Sequence, residues 1–413
     1  MEKASRKKKI SPPSLNLKTL ILIIAVFFIS LGQLQRIQIA NTVAIYAHDL
    51  FIILFVALTI LSSQINKKSI SAFFRRWRFL CLFILWSLSG LFINQFFSGF
   101  SIIPWMYFSR LFSYLLFGLC INNQIKSSSI DQKWVLLMFK IMLFVFLAIG
   151  LFQYLLIPDL RFLGEGGWDV HYYRLAGNML DPNFTGMLLI NLLLTYIISI
   201  KNRCKNKLYL GLILVLSIAL TYSRSSYLAF ATTTCITLIF SRISHFQYRK
   251  ILYFLFCVLL VLIPFLPQPG GAGVNLTRTE TISSRVEVNE SVINQLDFHQ
   301  LILGKGLFTP SINTSVSNQI IHAKFPDNLF VFLLSSTGVL GLFFALSFII
   351  KELHYAYHAK KYLVVLLLIG TITHSMFNLT ILEPINLLVL LFCLQINLIA
   401  NHQPLRLLKK VKS

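Results

Sequence analysis

Long apolar stretches recur from one end of this chain to the other, and short polar or basic connectors separate them. A helix needs about 20 predominantly apolar residues to cross the hydrocarbon core of a bilayer. The spacing therefore predicts an all-α polytopic membrane protein of about twelve transmembrane helices. The predicted spans lie near residues 19–35, 43–62, 79–97, 102–120, 134–157, 184–200, 208–222, 225–240, 251–266, 328–350, 362–378 and 382–400.

Composition agrees with a membrane environment. Of the 413 residues, 56% are hydrophobic and 12% are charged, whereas soluble domains carry about 25% charged residues. The six cysteines fall in predicted helices or inner loops, so no disulfide is expected in the outer loops. The chain has no Asp-x-Asp pair, no His/Cys ligand spacing and no nucleotide-binding glycine loop. We therefore expect no metal and no other cofactor.

The basic residues predict how the chain is threaded. If the predicted spans cross alternately, most of the 37 Lys and Arg side chains fall on one side, together with both chain ends. Short basic loops resist translocation, so this side is predicted to be cytoplasmic. Among the acids, only Glu2, Asp131 and Glu352 fall there. The net charge of +23 is spread over separate inner segments, which indicates topology rather than nucleic-acid binding.

Two predicted outer loops, residues 158–183 and 267–326, are long enough to form a site. The second opens with the helix-breaking run from Pro267 to Gly271, and its polar part fits a short amphipathic helix that includes Val286 and Val292. Loops of this length more often cap or gate a site than merely join helices. We expect one integral membrane domain over residues 1–413, with its working surface on the outer face.

Arginines are the first candidates for binding residues. Arg174, Arg224 and Arg285 fall on the predicted outer side, and a guanidinium fork matches phosphate oxygens in pairs. Together they would suit a phosphate or diphosphate, although each could instead pair with an acid or a lipid headgroup. Arg110 lies inside the fourth predicted span, where an unpaired guanidinium costs about 3 kcal/mol. It should therefore face the bundle interior or a wet cavity and is a further candidate for the diphosphate site.

Several short elements, taken in order, resemble the O-antigen ligase and polysaccharide polymerase (Wzy) superfamily. Each element is short, and their order along the chain carries the resemblance. The elements are Arg174 with Gly177, Asp181 to Asn183, Ser223 to Ser225, Arg285, Leu303 to Phe308 with Gly304 and Gly306, Asp327 with Asn328, and Gly338 with Gly341.

This resemblance implies a GT-C-like, metal-independent membrane glycosyltransferase. Its substrates would be undecaprenyl-diphosphate-linked glycans, polymerised on the outer face of the cytoplasmic membrane into O-antigen, capsule or exopolysaccharide. A flippase and a chain-length regulator would be partners, together with membrane lipids and no nucleic acid. Asn183 and Asn328, within the matching elements, become candidate substrate-binding residues beside the arginines.

The residue type at position 327 distinguishes two branches of the family. In the ligases an essential histidine stands there, so an aspartate favours the polymerase branch. Asp327 or His322 could take the proton of an acceptor hydroxyl, provided that it lies within hydrogen-bond reach. Asp327 could also cap the helix that begins near residue 328, because a carboxylate is favoured by free amides and the helix dipole.

One further histidine and two alternative functions complete the predictions. His374 groups with Asn378 and Glu383 near the outer end of the eleventh span, either as a structural histidine or as a substrate contact. A ligase that transfers finished glycan to another acceptor is the first alternative function. A transporter or lipid-glycan flippase is the second, but such proteins usually show repeated halves and ionisable residues near the midplane. This chain shows no visible repeat.

Overall fold

The chain folds into a bundle of helices. The computed structural model describes residues 15–40, 43–62, 67–166, 168–200, 204–239, 246–271, 273–310 and 325–396. The helices in these ranges are α1 Leu17–Ser30, α2 Ala47–Leu61, α3 Lys67–Ser98, α4 Ile102–Lys126, α5 Gln132–Leu156, α6 Pro182–Ser199, α7 Cys204–Ala219, α8 Arg224–Ile239, α9 Phe246–Leu262, α10 Glu280–Asn294, α11 Phe298–Leu303, α12 Leu329–His358, α13 Tyr362–Ser375 and α14 Pro384–Ile396.

Six of the described helices are long and apolar enough to cross a membrane. They are Phe74–Phe97 within α3, Tyr248–Phe265 around α9, and the whole of α4, α5, α6 and α12. Four more apolar helices, α1, α2, α13 and α14, are shorter. The fold is thus that of a mostly helical protein with several candidate spans, as predicted. Twelve crossings and the orientation of the chain ends stay predictions.

Helices occupy all twelve predicted spans, but the first two predicted spans extend too far. An antiparallel hairpin of β1 Arg36–Ala40 and β2 Val43–Tyr46 lies between α1 and α2. The prediction of helix over residues 43–46 was therefore wrong. Apolar and polar residues alternate through Arg36, Ile37, Gln38 and Ile39, a period of two that suits a strand.

Helix α6 forms the centre of the bundle. Every side chain from Thr185 to Ile197 is buried, and the helix packs against α7, α8, α9 and α13. A helix that is apolar on all sides is stable only when neighbours surround it. The start of α6, where Asp181 caps the helix and Pro182 occupies its first turn, therefore lies among the ends of other helices.

Helix α12 is broken at Gly338, where the backbone adopts a φ of 67°. The broken turn exposes carbonyl groups, and the amides of Lys305 and Gly306 donate to the oxygens of Ser335 and Ser336 at 2.8 and 3.0 Å. The end of α11 thereby docks into α12. The glycines of the sequence elements at 304–306 and 338 thus meet in space, and they anchor the large loop to the bundle.

We expect Gly338→Ala to destabilise the protein by about 2 kcal/mol or more, because a side chain adds strain at positive φ and crowds a packed contact. A Cβ at this position would lie within 3.0 Å of the Ile302 carbonyl oxygen. Gly99→Ala is the matched control, since Gly99 also has positive φ but a Cβ there would have no neighbour within 4 Å. Thermal unfolding in detergent should show a clearly larger loss for Gly338→Ala, and equal losses would contradict the docking role.

Candidate functional site

Arg285 and Asp327 form an ion pair at one end of the bundle. Arg285 lies on α10 and donates from Nε to Asp327 Oδ2 at 2.9 Å, and from Nη2 to Asn378 Oδ1 at 3.2 Å. The side chains of Arg285 and Asp327 are 34% and 40% exposed, so a ligand can reach both. The pair joins the large loop to the start of α12 and to the turn after α13.

Asn328 caps α12, and Asp327 does not. The Asn328 Oδ1 accepts hydrogen bonds from the amides of Phe330 and Val331 at 2.9 and 3.3 Å, while its Nδ2 donates to the Met376 carbonyl at 3.1 Å. The capping role considered for Asp327 therefore belongs to its neighbour. Only Oδ2 of Asp327 is used by Arg285, so Oδ1 can accept a proton.

A buried polar network supports this pair from behind. Asn378 Nδ2 donates to Ser225 Oγ at 3.1 Å, and Ser225 Oγ lies 3.0 Å from His374 Nε2. The same nitrogen lies 3.2 Å from Ser226 Oγ, and His374 Nδ1 contacts Thr380. His374 is fully buried, so in this structure it reaches the site only through Ser225 and Asn378. The network holds the amide that orients Arg285.

Arg174 lies in the wall of the site at the start of α6. Its side chain is buried, and it donates from Nε to the Thr221 carbonyl at 3.0 Å and from Nη2 to Asn183 Oδ1 at 3.4 Å. Burial, together with the nearby Arg278 and Arg285 and opposed by Asp181, lowers the pKa of Arg174 to about 10. A buried cation beside other cations creates a positive potential, which favours the binding of an anion.

Arg224 and Arg278 lie next to each other near Arg285. Arg224 is the first residue of α8, and its Nη1 donates to the Arg278 carbonyl at 2.6 Å. Arg278 donates to the Gly273 carbonyl, and burial together with repulsion from Arg224 and Arg285 lowers its pKa. The structure thus brings all three predicted outer arginines together and adds a fourth.

These surroundings shift the pKa of the Asp327 carboxyl group by opposing effects. Desolvation raises its pKa above the ordinary value, while the adjacent Arg285 opposes the rise. The more distant Asp181 and Asp169 raise this pKa further. A carboxyl with a raised pKa is a better proton acceptor than an ordinary aspartate once it is ionised.

Arg110 lies apart from this group and lines a cavity of about 230 Å³. It pairs with Asp49 Oδ2 at 2.9 Å and donates to the Ala44 carbonyl at 2.7 Å, which satisfies the guanidinium inside the bundle. Most of the cavity wall is apolar, and Glu383 is its acidic member. The lining residues Phe184, Phe325 and Leu379 are sequence neighbours of the groups around Asp327, so the cavity begins close to the ion pair.

His322, the second predicted base, lies outside the described residues. In the part of the chain that the structure describes, the site contains Asp327, four arginines and two asparagines that contact them: Arg174, Arg224, Arg278, Arg285, Asn183 and Asn378. Clustered guanidinium groups beside an accessible carboxylate can bind an anionic group and accept a proton next to it.

Residues 209–346 match the family model described as O-antigen ligase (Wzy_C). This segment therefore resembles an O-antigen ligase domain. The resemblance to the O-antigen ligase and Wzy superfamily predicted from the sequence is thereby confirmed. None of the curated proteins matches the chain.

The matched segment, residues 209–346, contains most of the site but not all of it. Arg224, Arg278, Arg285 and Asp327 fall within residues 209–346, whereas Arg174 comes from the preceding loop and Asn378 from the turn after α13. Sequence reasoning missed Arg278, which lies only seven positions before Arg285 in the same loop. A second basic residue on the loop that supplies one phosphate candidate was a signal that could have identified it.

Proposed function

We propose that this protein is a membrane glycosyltransferase that polymerises undecaprenyl-diphosphate-linked oligosaccharide repeat units on the outer face of the cytoplasmic membrane. The observation that carries this proposal is a cluster of four arginines, one of which, Arg285, pairs with the accessible Asp327, in and beside the segment that matches the O-antigen ligase model. The substrate class follows from the family resemblance, and the cationic cluster suits its diphosphate.

In this proposal the arginines bind the diphosphate of the donor glycan. The acceptor hydroxyl of a second lipid-linked repeat unit attacks the anomeric carbon, and the bond from that carbon to the phosphate oxygen breaks. Negative charge grows on the departing diphosphate, where fixed guanidinium groups stabilise it. Asp327 takes the hydroxyl proton, and the growing chain is longer by one repeat unit with inversion at the anomeric carbon.

The outer location is supported by where the site and the basic loops lie. The site gathers the starts of α6, α8 and α12 and the end of α13. The opposite ends of the same helices lead into the basic segments near Lys207, Arg249 and Lys351. Basic segments favour the cytoplasmic side, which would place the site outside.

A ligase that transfers finished glycan to another acceptor is the second candidate, since the matching family model is described as O-antigen ligase. The aspartate at position 327, where the ligases of this family carry histidine, favours polymerisation. Both reactions use the same donor chemistry and differ in the acceptor.

The test is the glycan chain-length distribution on a gel, in a host that supplies the lipid-linked repeat unit with or without this protein. We expect a ladder of long chains only when the protein is present. Single repeat units joined to a different acceptor would favour the ligase. Lipid-linked units that accumulate on the cytoplasmic side in its absence would indicate a flippase and end the enzyme proposal.

A further inference from the structure

Three potential metal ligands meet beside the arginine cluster. Asp169, His171 and Asp181 each place one ligand atom so that all three atoms lie within 4.8 Å of one another. The first two residues belong to the outer segment before Arg174, and Asp181 is the cap of α6. These side chains are separated in sequence, and the fold brings them together.

The imidazole of His171 points to a missing partner. The residue is 7% exposed, and its Nε2 has no hydrogen-bond partner within the described part of the chain. Leaving a buried polar group unsatisfied costs about 1–3 kcal/mol. Native proteins rarely retain such a group without a bound ion, a water or a functional reason. One ring nitrogen of this histidine lies within 4.8 Å of a carboxylate oxygen of each aspartate.

The two carboxylates are also available to bind a metal ion. Asp181 accepts the amides of Asn183 and Phe184 on Oδ1 alone, which leaves Oδ2 available. Arg174, the nearest guanidinium in sequence, directs its hydrogen bonds to Thr221 and Asn183 instead. Among the described residues, neither Asp169 nor Asp181 forms an ion pair within 4.0 Å.

We propose that Asp169, His171 and Asp181 bind a divalent cation of the Zn²⁺ or Mn²⁺ type. One imidazole nitrogen with two carboxylate oxygens suits these ions, whereas Ca²⁺ and Mg²⁺ prefer oxygen ligands only. The two negative charges balance the cation. Three protein ligands leave coordination positions open to water or to an oxygen of an anionic ligand.

Such a cation would fasten residues 169–171 to the start of α6, next to Arg174. This role goes beyond the proposed glycosyl transfer, in which the arginines alone carry the positive charge. It differs from the expectation of no metal that rested on sequence spacing, because Asp181 lies ten positions from His171 and fits no standard ligand spacing.

The experiment uses the untagged full chain in detergent, stripped with a chelator and then titrated with Zn²⁺ or Mn²⁺ by calorimetry. The background carries His354→Ala, because the rings of His354 and His358 lie 4.3 Å apart on α12 and could bind zinc themselves. We expect one equivalent of metal, and His171→Ala should weaken binding by at least about 100-fold. Asp159→Asn is the control, since this exposed carboxylate of the same loop pairs with Arg161.

Asp169→Asn provides a second variant that changes only an exposed side chain. It should weaken binding and leave the thermal midpoint of the metal-free protein unchanged, so misfolding cannot explain the loss. The proposal would be overturned if the parent protein bound no stoichiometric metal. It would also be overturned if the His171→Ala and Asp169→Asn variants bound the metal as tightly as the parent protein does. The titration needs no glycan, so its failure would not affect the proposed transferase, and failure of the transferase assay would not affect the metal site.

Discussion

Arg285→Ala should reduce chain elongation by at least about 100-fold, the usual effect of removing one fixed donor that stabilises transition-state charge. The substitution also leaves Asp327 and Asn378 without the guanidinium that joins them. Arg285→Lys keeps the charge but cannot reach both partners with a planar fork, so we expect intermediate activity. The measurement is the rate at which long glycan chains appear on a gel, normalised to the amount of protein in the membrane.

Arg161→Ala is the matched control for Arg285. Arg161 also lies in a loop and pairs with an aspartate, at 2.6 Å, but its side chain is 60% exposed, and its ion pair is separate from the arginine cluster. Exposed ion pairs of this kind contribute little to stability. Full elongation by Arg285→Ala, or an equal loss in Arg161→Ala, would show that the cluster around Asp327 does not bind the donor.

Asp327→Asn should reduce elongation by about 10²–10⁴-fold, the range expected when a general base is lost. Asparagine keeps the size of the side chain and can still accept the hydrogen bond from Arg285, so the ion pair's geometry is largely preserved. An effect this large would therefore report proton transfer rather than local misfolding. The same gel assay measures it, and an active Asp327→Asn enzyme would exclude Asp327 as the base.

The pH dependence gives an independent check on Asp327. Only the ionised carboxylate accepts a proton, so activity should fall as the pH drops through the pKa of this residue. Because desolvation raises that pKa, the fall should begin at a higher pH than for an ordinary aspartate. Asp327→His, which introduces a base of higher pKa, should retain part of the activity and move this limb upward. An acid limb that is identical in the wild type and Asp327→His would assign the titration to another group.

The local sequence predicted helices reliably where the burial of apolar residues is the dominant physical effect. Burial of apolar residues in lipid favours helices, and all twelve predicted spans contain one, although only six of the described helices are long and apolar enough to cross a membrane. The hairpin at residues 36–46 was missed because its isoleucines raise hydropathy as much as a helix would. Periodicity, which distinguishes the two structures, is weak evidence over so short a stretch.

The arginines of the cluster could be recognised individually, since a guanidinium in a hydrophobic chain is costly unless it binds a partner. Their arrangement could not. Asn328 rather than Asp327 caps α12, and Asn378 links Arg285 to Ser225, because side-chain directions depend on how separate helix ends meet. The same applies to Arg278, whose neighbours come from three different segments.

The sequence by itself determined the candidate membrane spans, the helical segments, the family resemblance and the candidate arginines, because each depends on composition or on residues close together in the chain. Only the tertiary structure decided which partners those residues have. It paired Arg285 with Asp327, buried His374 behind them and brought Asp169 and His171 to Asp181. Contacts between distant residues depend on the packing of whole helices, and that packing is a sum of many weak interactions that no local pattern encodes.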